Sequence, residues 1–259
     1  MMRKSLFIKQ VASILFMILM ICLQIMILSC WAAAATVVSG DISGSVRWVP
    51  EKSPYIISGD IIVRRGATLT IAAGTEVRFR RFASSQPYTN RGIIKVFGTL
   101  KVEGNKDQRV YFGLFEDGAI GDWGGIWVEG YYGGRVIMEY AEIEKATRGI
   151  YVSGGSPVIK QSRFSSNFTG IHLEQTTDFI LEGNVISGNG YGFYLDTSQG
   201  TLQKNSIISN SWGVYSFLSK GMAITHNAIK SNTFGITNDG SMQDVIEYND
   251  FSIRQPNDY

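Results

Sequence analysis

Two carboxylates, Glu174 and Asp196, stand 22 positions apart in this chain. Beside them runs a series of rings, Trp127, Tyr151, His172, Tyr194 and Tyr215, separated by 24, 21, 22 and 21 residues. Glu129, Ser153 and Asp239 fall in the same series as the two acids. If adjacent strands carry the acids, their carboxyl groups lie about 5 Å apart. Like charges that close disfavour joint ionisation, so one proton is shared. A retaining glycosidase uses that separation, with His172 and Tyr194 near enough to assist proton transfer. The commoner alternative is a ladder of solvated carboxylates. The rings suggest a second use: flat aromatic faces stack on sugars while fixed polar groups hold hydroxyls. Against this, aromatic residues simply suit β surfaces and shield strand edges.

Either chemistry depends on a repeat that brings these residues together. Gly149, Gly170, Gly192, Gly213 and Gly235 recur at 21- or 22-residue spacing, each followed by an apolar residue. A second apolar column reads Ile159, Leu181, Leu202, Ile224, Ile246, and a third Phe164, Ile186, Ile207, Ile229, Phe251. Between them stand Ser162, Asn184, Asn205, Asn227 and Asn249, and after the third come Asn167, Asn189, Asn210 and Asn232. An earlier unit, Gly125, Ile126, Met138, Ala141, Ile143, fits more loosely. Such a period means a solenoid. No unit has a helix-length amphipathic stretch, and the leucine-rich spine is absent. Each unit holds three short alternating runs broken by Gly, Asn, Ser or Thr, which reads as three strands per coil. Asn and Gly are expected at the corners because they accept left-handed backbone angles. Stacked Asn184, Asn205 and Asn227 are expected to hydrogen-bond as a ladder.

The wording Asn184-Val185-Ile186-Ser187-Gly188-Asn189-Gly190-Tyr191-Gly192-Phe193 resembles the short repeats of right-handed parallel β-helix proteins of the pectin-lyase-like class. The front half resembles bacterial secreted members through Ser53-Pro54-Tyr55, Gly59-Asp60 and Gly66-Ala67-Thr68-Leu69-Thr70-Ile71-Ala72-Ala73-Gly74, followed by Gly98-Thr99-Leu100 and Gly121-Asp122-Trp123-Gly124-Gly125-Ile126. The likeness spans about residues 50 to 251. It implies the fold and leaves the activity open, because the class holds lyases, hydrolases, epimerases and copper-delivery proteins. The class's polygalacturonase segments (Asn-Thr-Asp, Asp-Asp, Gly-His-Gly) and alginate-epimerase Asp-Pro-His segment are absent here. A copper-delivery protein wants soft or imidazole ligands, and Met138, Met222, Met242, His172 and His226 are scattered. His226 reads as a turn residue. Glu116, Asp117 and Asp122 offer calcium oxygens in principle, without a matching motif. No metal ligand set and no cofactor is therefore expected.

The first 35 residues run basic, apolar and then small. Arg3, Lys4 and Lys9 precede the apolar stretch 11–29 and the alanines 32–35. That order is a secretory signal. Cleavage near Ala35, lipid attachment at Cys30 through the Ile27-Leu28-Ser29-Cys30 segment, and an uncleaved anchor remain open, and all three export the chain. The other cysteine, Cys22, also lies in this segment, so the rest has no disulfide. Without the leader's three cations the 24 basic residues fall to 21 against 22 acids. A near-neutral chain gives no electrostatic reason to bind nucleic acid. With 44% apolar residues it is not disordered.

The expectation is thus an all-β, right-handed parallel β-helix of three strands and about 21–22 residues per coil. Residues 1–35 are the leader, 36–58 a cap and 59–259 the helix domain. Arg80 to Arg91 and Glu116 to Gly121 are loops leaving the solenoid; Arg78, Arg80, Arg81 and Arg91 form a basic group suited to an acidic polysaccharide or lipopolysaccharide, or a solvated edge. The expected function is an exported module, periplasmic, cell-surface or extracellular, binding a polysaccharide along Trp127, Tyr151, His172, Tyr194, Tyr215, Glu129 and Asp239. A polysaccharide-active enzyme using Glu174 and Asp196, and a structural rod self-associating end to end through its C-terminal coil, are the alternatives. Membrane contact is expected only through the leader or a lipid.

Overall fold

The computed structural model describes residues 35–81 and 92–252, together with Ile14, Phe16 and Met17. The chain divides into two compact units, Met1–Ala33 and Ala34–Tyr259. In the first, the three described residues are helical. Cys30, the cleavage region, Arg91 and the segment 253–259 lie outside the described residues. No helix among the described residues is long and apolar enough to cross a membrane.

The second unit is a parallel β-helix. Its three faces are ladders of strands stacked rung on rung, all paired in parallel. Face 2 is the simplest, nine strands from Ser45–Trp48 to Val245–Glu247. Face 3 runs from Glu76–Phe79 through Val110–Leu114 and Ala141–Glu144 to Asp250–Ser252. Face 1 holds the longer strands Trp123–Glu129, Ala146–Ser153, Thr169–Glu174, Tyr191–Asp196, Trp212–Phe217 and Phe234–Asp239. Parallel crossovers of this kind are right-handed. The expected class and period are those observed.

Each inward column is aliphatic or aromatic and fully enclosed: Ile150, Ile171 and Phe193 on face 1, Ile159, Leu181 and Leu202 on face 2, Phe164, Ile186 and Ile207 on face 3. The repeat glycines have a steric reason. A Cβ on Gly170 would lie 2.7 Å from the carbonyl oxygen of Gly192, and one on Gly192 would lie 2.5 Å from that of Gly213. Neighbouring rungs approach too closely there for any side chain.

The corners differ from expectation in an informative way. The left-handed residues are not the asparagines but the residues before them. Gln161, Gly183, Lys204 and His226 have φ between 51° and 66° and precede Ser162, Asn184, Asn205 and Asn227. The preceding residue turns the chain, and the asparagine is thereby aimed inward, where it is buried. Each amide is then satisfied. Asn205 Nδ2 donates to Leu181 O at 2.9 Å and to Asn227 Oδ1 at 2.9 Å, while its Oδ1 accepts from the backbone N–H and Nδ2 of Asn184. Asn167, Asn189, Asn210 and Asn232 form a second such ladder. A third corner uses hydroxyls, Thr176 to Ser198 to Ser219 to Ser241. Buried polar groups cost little when every donor and acceptor is paired.

The expected cap over 36–58 is itself the first rung. Thr36–Ile42 pairs with Tyr55–Val63, and Ser45–Trp48 pairs with Thr68–Ala72. Trp48, stacked on Tyr55 at 4.7 Å, closes that rung's interior. At the other end, Phe234, Val245, Ile246 and Phe251 are exposed.

Candidate functional site

Face 1 carries three columns across six rungs, aligned rung on rung apart from one register shift between Arg148 and Ile150. The ring column pairs Trp127 with Tyr151, Tyr151 with His172, His172 with Tyr194, Tyr194 with Tyr215 and Tyr215 with Thr237. The acid column pairs Glu129 with Ser153, Ser153 with Glu174, Glu174 with Asp196, Asp196 with Phe217 and Phe217 with Asp239. All the residues expected to share this face are brought together there.

A further column was missed. The residues before the repeat glycines also align: Gly125, Arg148, Thr169, Tyr191, Trp212 and Phe234. Strict alternation would send Tyr191 inward with Phe193. Instead both Tyr191 and Tyr194 are part-exposed, with Gly192 and Phe193 buried between them. The signal was present in the sequence as three successive aromatic residues before the last three repeat glycines.

The two ring columns touch. Tyr191 stacks on Trp212 at 4.7 Å and Trp212 on Phe234 at 5.2 Å, while Tyr194 stacks on Tyr215 at 5.1 Å. Tyr191 also meets Tyr194 edge to face at 5.4 Å. Rings stacked from rung to rung have their normals along the solenoid axis, so edges and hydroxyls, rather than flat faces, point to solvent. Lower down, Trp127, Tyr151 and His172 meet edge to face.

The acids are engaged individually. Tyr151 OH donates to Glu174 Oε2 at 2.6 Å, Thr197 Oγ1 donates to Asp196 Oδ1 at 2.7 Å, and Tyr215 OH donates to Asp239 Oδ2 at 3.0 Å. Glu129 pairs with Lys95 at 3.0 Å. Glu174 and Asp196 are adjacent in register, but their hydrogen bonds go to Tyr151 and Thr197. Burial, reinforced by the Glu174 hydrogen bond, pushes the Tyr151 phenol up to about 12. Burial also raises Tyr194, with Asp196 adding to it, and the Asp239 hydrogen bond raises Tyr215. His172 is held down to about 3 by burial and then by the nearby Arg148 charge, so it is neutral. Its Nε2 is buried without a hydrogen-bond partner.

The chain matches the family described as periplasmic copper-binding protein (NosD) over residues 101–257, more than half its length. The chain belongs to the NosD family. Residues 40–149 match the pectate-lyase like beta helix domain, so the β-helix assignment runs through both halves. No curated protein and no solved structure matches it. A family described as periplasmic fits an exported module.

Membership in the NosD family raises the question of copper donors. Met138 and Met222 are enclosed in the core, and Met242 is exposed. His226 lies at a left-handed corner, stacked on Tyr248 at 5.0 Å. No group of three His, Cys, Asp or Glu residues able to hold a metal ion occurs among the described residues. His172 offers one nitrogen beside a guanidinium. These residues do not assemble a copper site. Of the acidic loop oxygens, Asp122 is bound to Arg81 at 3.0 Å and to the Ala119 N–H. Arg78 of the basic group is held by Glu76 and lies over the Tyr111 ring.

Proposed function

We propose that this chain is an exported β-helix module that binds a polysaccharide along face 1, parallel to the solenoid axis. The carrying observation is the three columns aligned over six rungs, with a single register shift at Arg148 to Ile150. A glycan laid along the axis meets a ring in the central column on five successive rungs, about 4.8 Å apart. Because Tyr194, Tyr215, Tyr191 and Trp212 are stacked on one another, contact is through ring edges, phenol hydroxyls and the acids they orient. Such amphipathic aromatic rows are common at binding surfaces.

A glycan array on the purified protein, followed by titration of the hits, tests this. Tyr194→Ala and Trp212→Ala each break a stacked column and are expected to weaken binding about tenfold. Unchanged affinity in both variants overturns the reading. The family's copper description supplies no competing reading, since the donor set above does not converge. Hydrolysis by Glu174 and Asp196 is not favoured either, because each carboxylate already accepts from a separate hydroxyl.

A further inference from the structure

Arg148 is the one cation in the outward columns of face 1 from Trp123–Glu129 to Phe234–Asp239. Its guanidinium carbon lies 4.9 Å from the Tyr151 ring centre and 5.9 Å from that of Trp127. Stacking of this kind fixes the plane of the group and leaves its N–H donors free. Arg148 has no side-chain hydrogen bond or ion pair among the described residues. Other part-buried cations differ: Lys95 is bound to Glu129, and Arg78 to Glu76. An oriented guanidinium with up to five unused donors is a docking group for an oxyanion.

The surroundings favour an incoming anion. The residues next to Arg148 in its column are Gly125 and Thr169, so no long side chain of its own column covers it. The acids lie across the ring column from Arg148, and Glu129 and Glu174 are taken by Lys95 and by the Tyr151 hydroxyl. His172, one rung on, leaves Nε2 unpartnered in the same cluster, with its ring 5.0 Å from that of Tyr151. A metal cation at that nitrogen would face the guanidinium charge directly, whereas an oxyanion is attracted by it.

We propose that Arg148 is the anion-docking residue of face 1, and that the glycan bound there carries carboxylate or sulfate groups. This rests on the polysaccharide reading above and narrows its ligand. The opposite polarity of the two edges of the face, Arg148 on one side of the rings and the carboxylates on the other, would also fix which edge of the chain carries the charge.

The test titrates the protein with three oligosaccharides of equal length: neutral hexose, hexuronate and sulfated hexose. The charged probes are expected to bind about tenfold more tightly than the neutral one at low salt, with the advantage shrinking as ionic strength rises. Preference for hexuronate over the sulfated chain, or the reverse, tells which oxyanion is read. Arg148→Gln should bring the charged probes to the affinity that the same variant shows for the neutral one. Arg148→Lys, which keeps the charge and loses the fork, should fall between. Arg47→Gln, on face 2, should change nothing. Circular dichroism melts check folding; should Arg148→Gln melt early, Arg148→Lys and the wild-type charged-to-neutral ratio decide. Equal wild-type affinity for all three probes overturns the anion site while leaving polysaccharide binding intact. Binding of none overturns both. A charged preference that survives in Arg148→Gln overturns the role of Arg148. Copper salts should not compete with the hexuronate, and displacement by one equivalent would also overturn it.

Discussion

The inside and the outside of this solenoid are built by the same 21- to 22-residue period, yet they obey different rules. Inside, Asn205 has every donor and acceptor paired, as do its counterparts above and below. Outside, Arg148 has no side-chain hydrogen bond or ion pair among the described residues, and His172 Nε2 is buried without a partner. The interior ladders set the register. The exterior columns then inherit it at no further cost, because any outward residue recurs over its counterpart one rung on. Alignment on the surface is therefore weak evidence for use. What separates a docking face from a mere β surface is the group left unsatisfied after the fold has formed.

The sharpest way to break the comparison is to damage the interior. Asn205→Ala removes the acceptor of two Asn184 donors and the donor to Leu181 O and Asn227 Oδ1, all buried. Several orphaned groups in an enclosed column should cost about 3 kcal/mol. Denaturant unfolding followed by circular dichroism measures this. The neighbouring Lys204→Gly is the counter-case. Lys204 holds φ at 56° with its side chain exposed, so relief of the left-handed strain should offset the lost Glu182 contact and leave stability nearly unchanged. A smaller loss in Asn205→Ala than in Lys204→Gly would mean that the ladder does not set the register.

The second effect is a pH dependence that comes from the outer face. An unfolded histidine titrates near 6.5, whereas His172 in the folded chain is held down to about 3. Between those values the unfolded chain binds the proton and the folded chain does not. Stability must therefore fall as the solution is acidified through this window, and the loss is complete only below the folded value. The contribution is at most about 2.5 kcal/mol between pH 6 and pH 4. Carboxylates titrate in the same range, so the measurement is the difference between wild type and His172→Phe. The variant keeps a ring in the stack and should show the shallower loss. Parallel curves for the two proteins would place the histidine in open solvent.

Much of the interior was legible in the sequence because burial forces like residues onto like at fixed spacing. Ile171, Phe193 and Val214 had to repeat, and their period announced the coil. The asparagines were visible as a column and their ladder was expected, as observed; only their place at the bend was misread. Sequence pattern marks the corner without saying which residue bends: the bend falls on Lys204 and His226, one place earlier, and the amide goes inside. The hydroxyl ladder of Thr176, Ser198, Ser219 and Ser241 escaped notice because Ser and Thr are unremarkable in turns. On the surface, Trp127 to Tyr215 was found by alternation. Tyr191, Trp212 and Phe234 were not, because two residues in succession, Gly192–Phe193 and Gly213–Val214, are buried, which breaks the period of two. Arg148 was overlooked for a related reason: its column holds Gly125 and Thr169 beside it, so nothing about it repeats. Function that sits on a single rung leaves no periodic trace.

The smallest effect distinguishes two ways a ring column can hold a sugar. Tyr215→Phe removes only the hydroxyl that donates to Asp239 at 3.0 Å, and leaves the ring stacked on Tyr194. The pair is exposed, so stability should be nearly unchanged. If the column presents flat faces, glycan affinity should be unchanged, since the face survives. If it presents edges and hydroxyls, affinity should fall about threefold. Tyr215→Leu then serves as the partner measurement, because it removes ring and hydroxyl together. A loss in Tyr215→Leu with none in Tyr215→Phe would return the face to the stacking platform that spacing alone suggests. Comparable losses in both would establish that the outward edge, with the acid it orients, is the part of the tyrosine that meets the ligand.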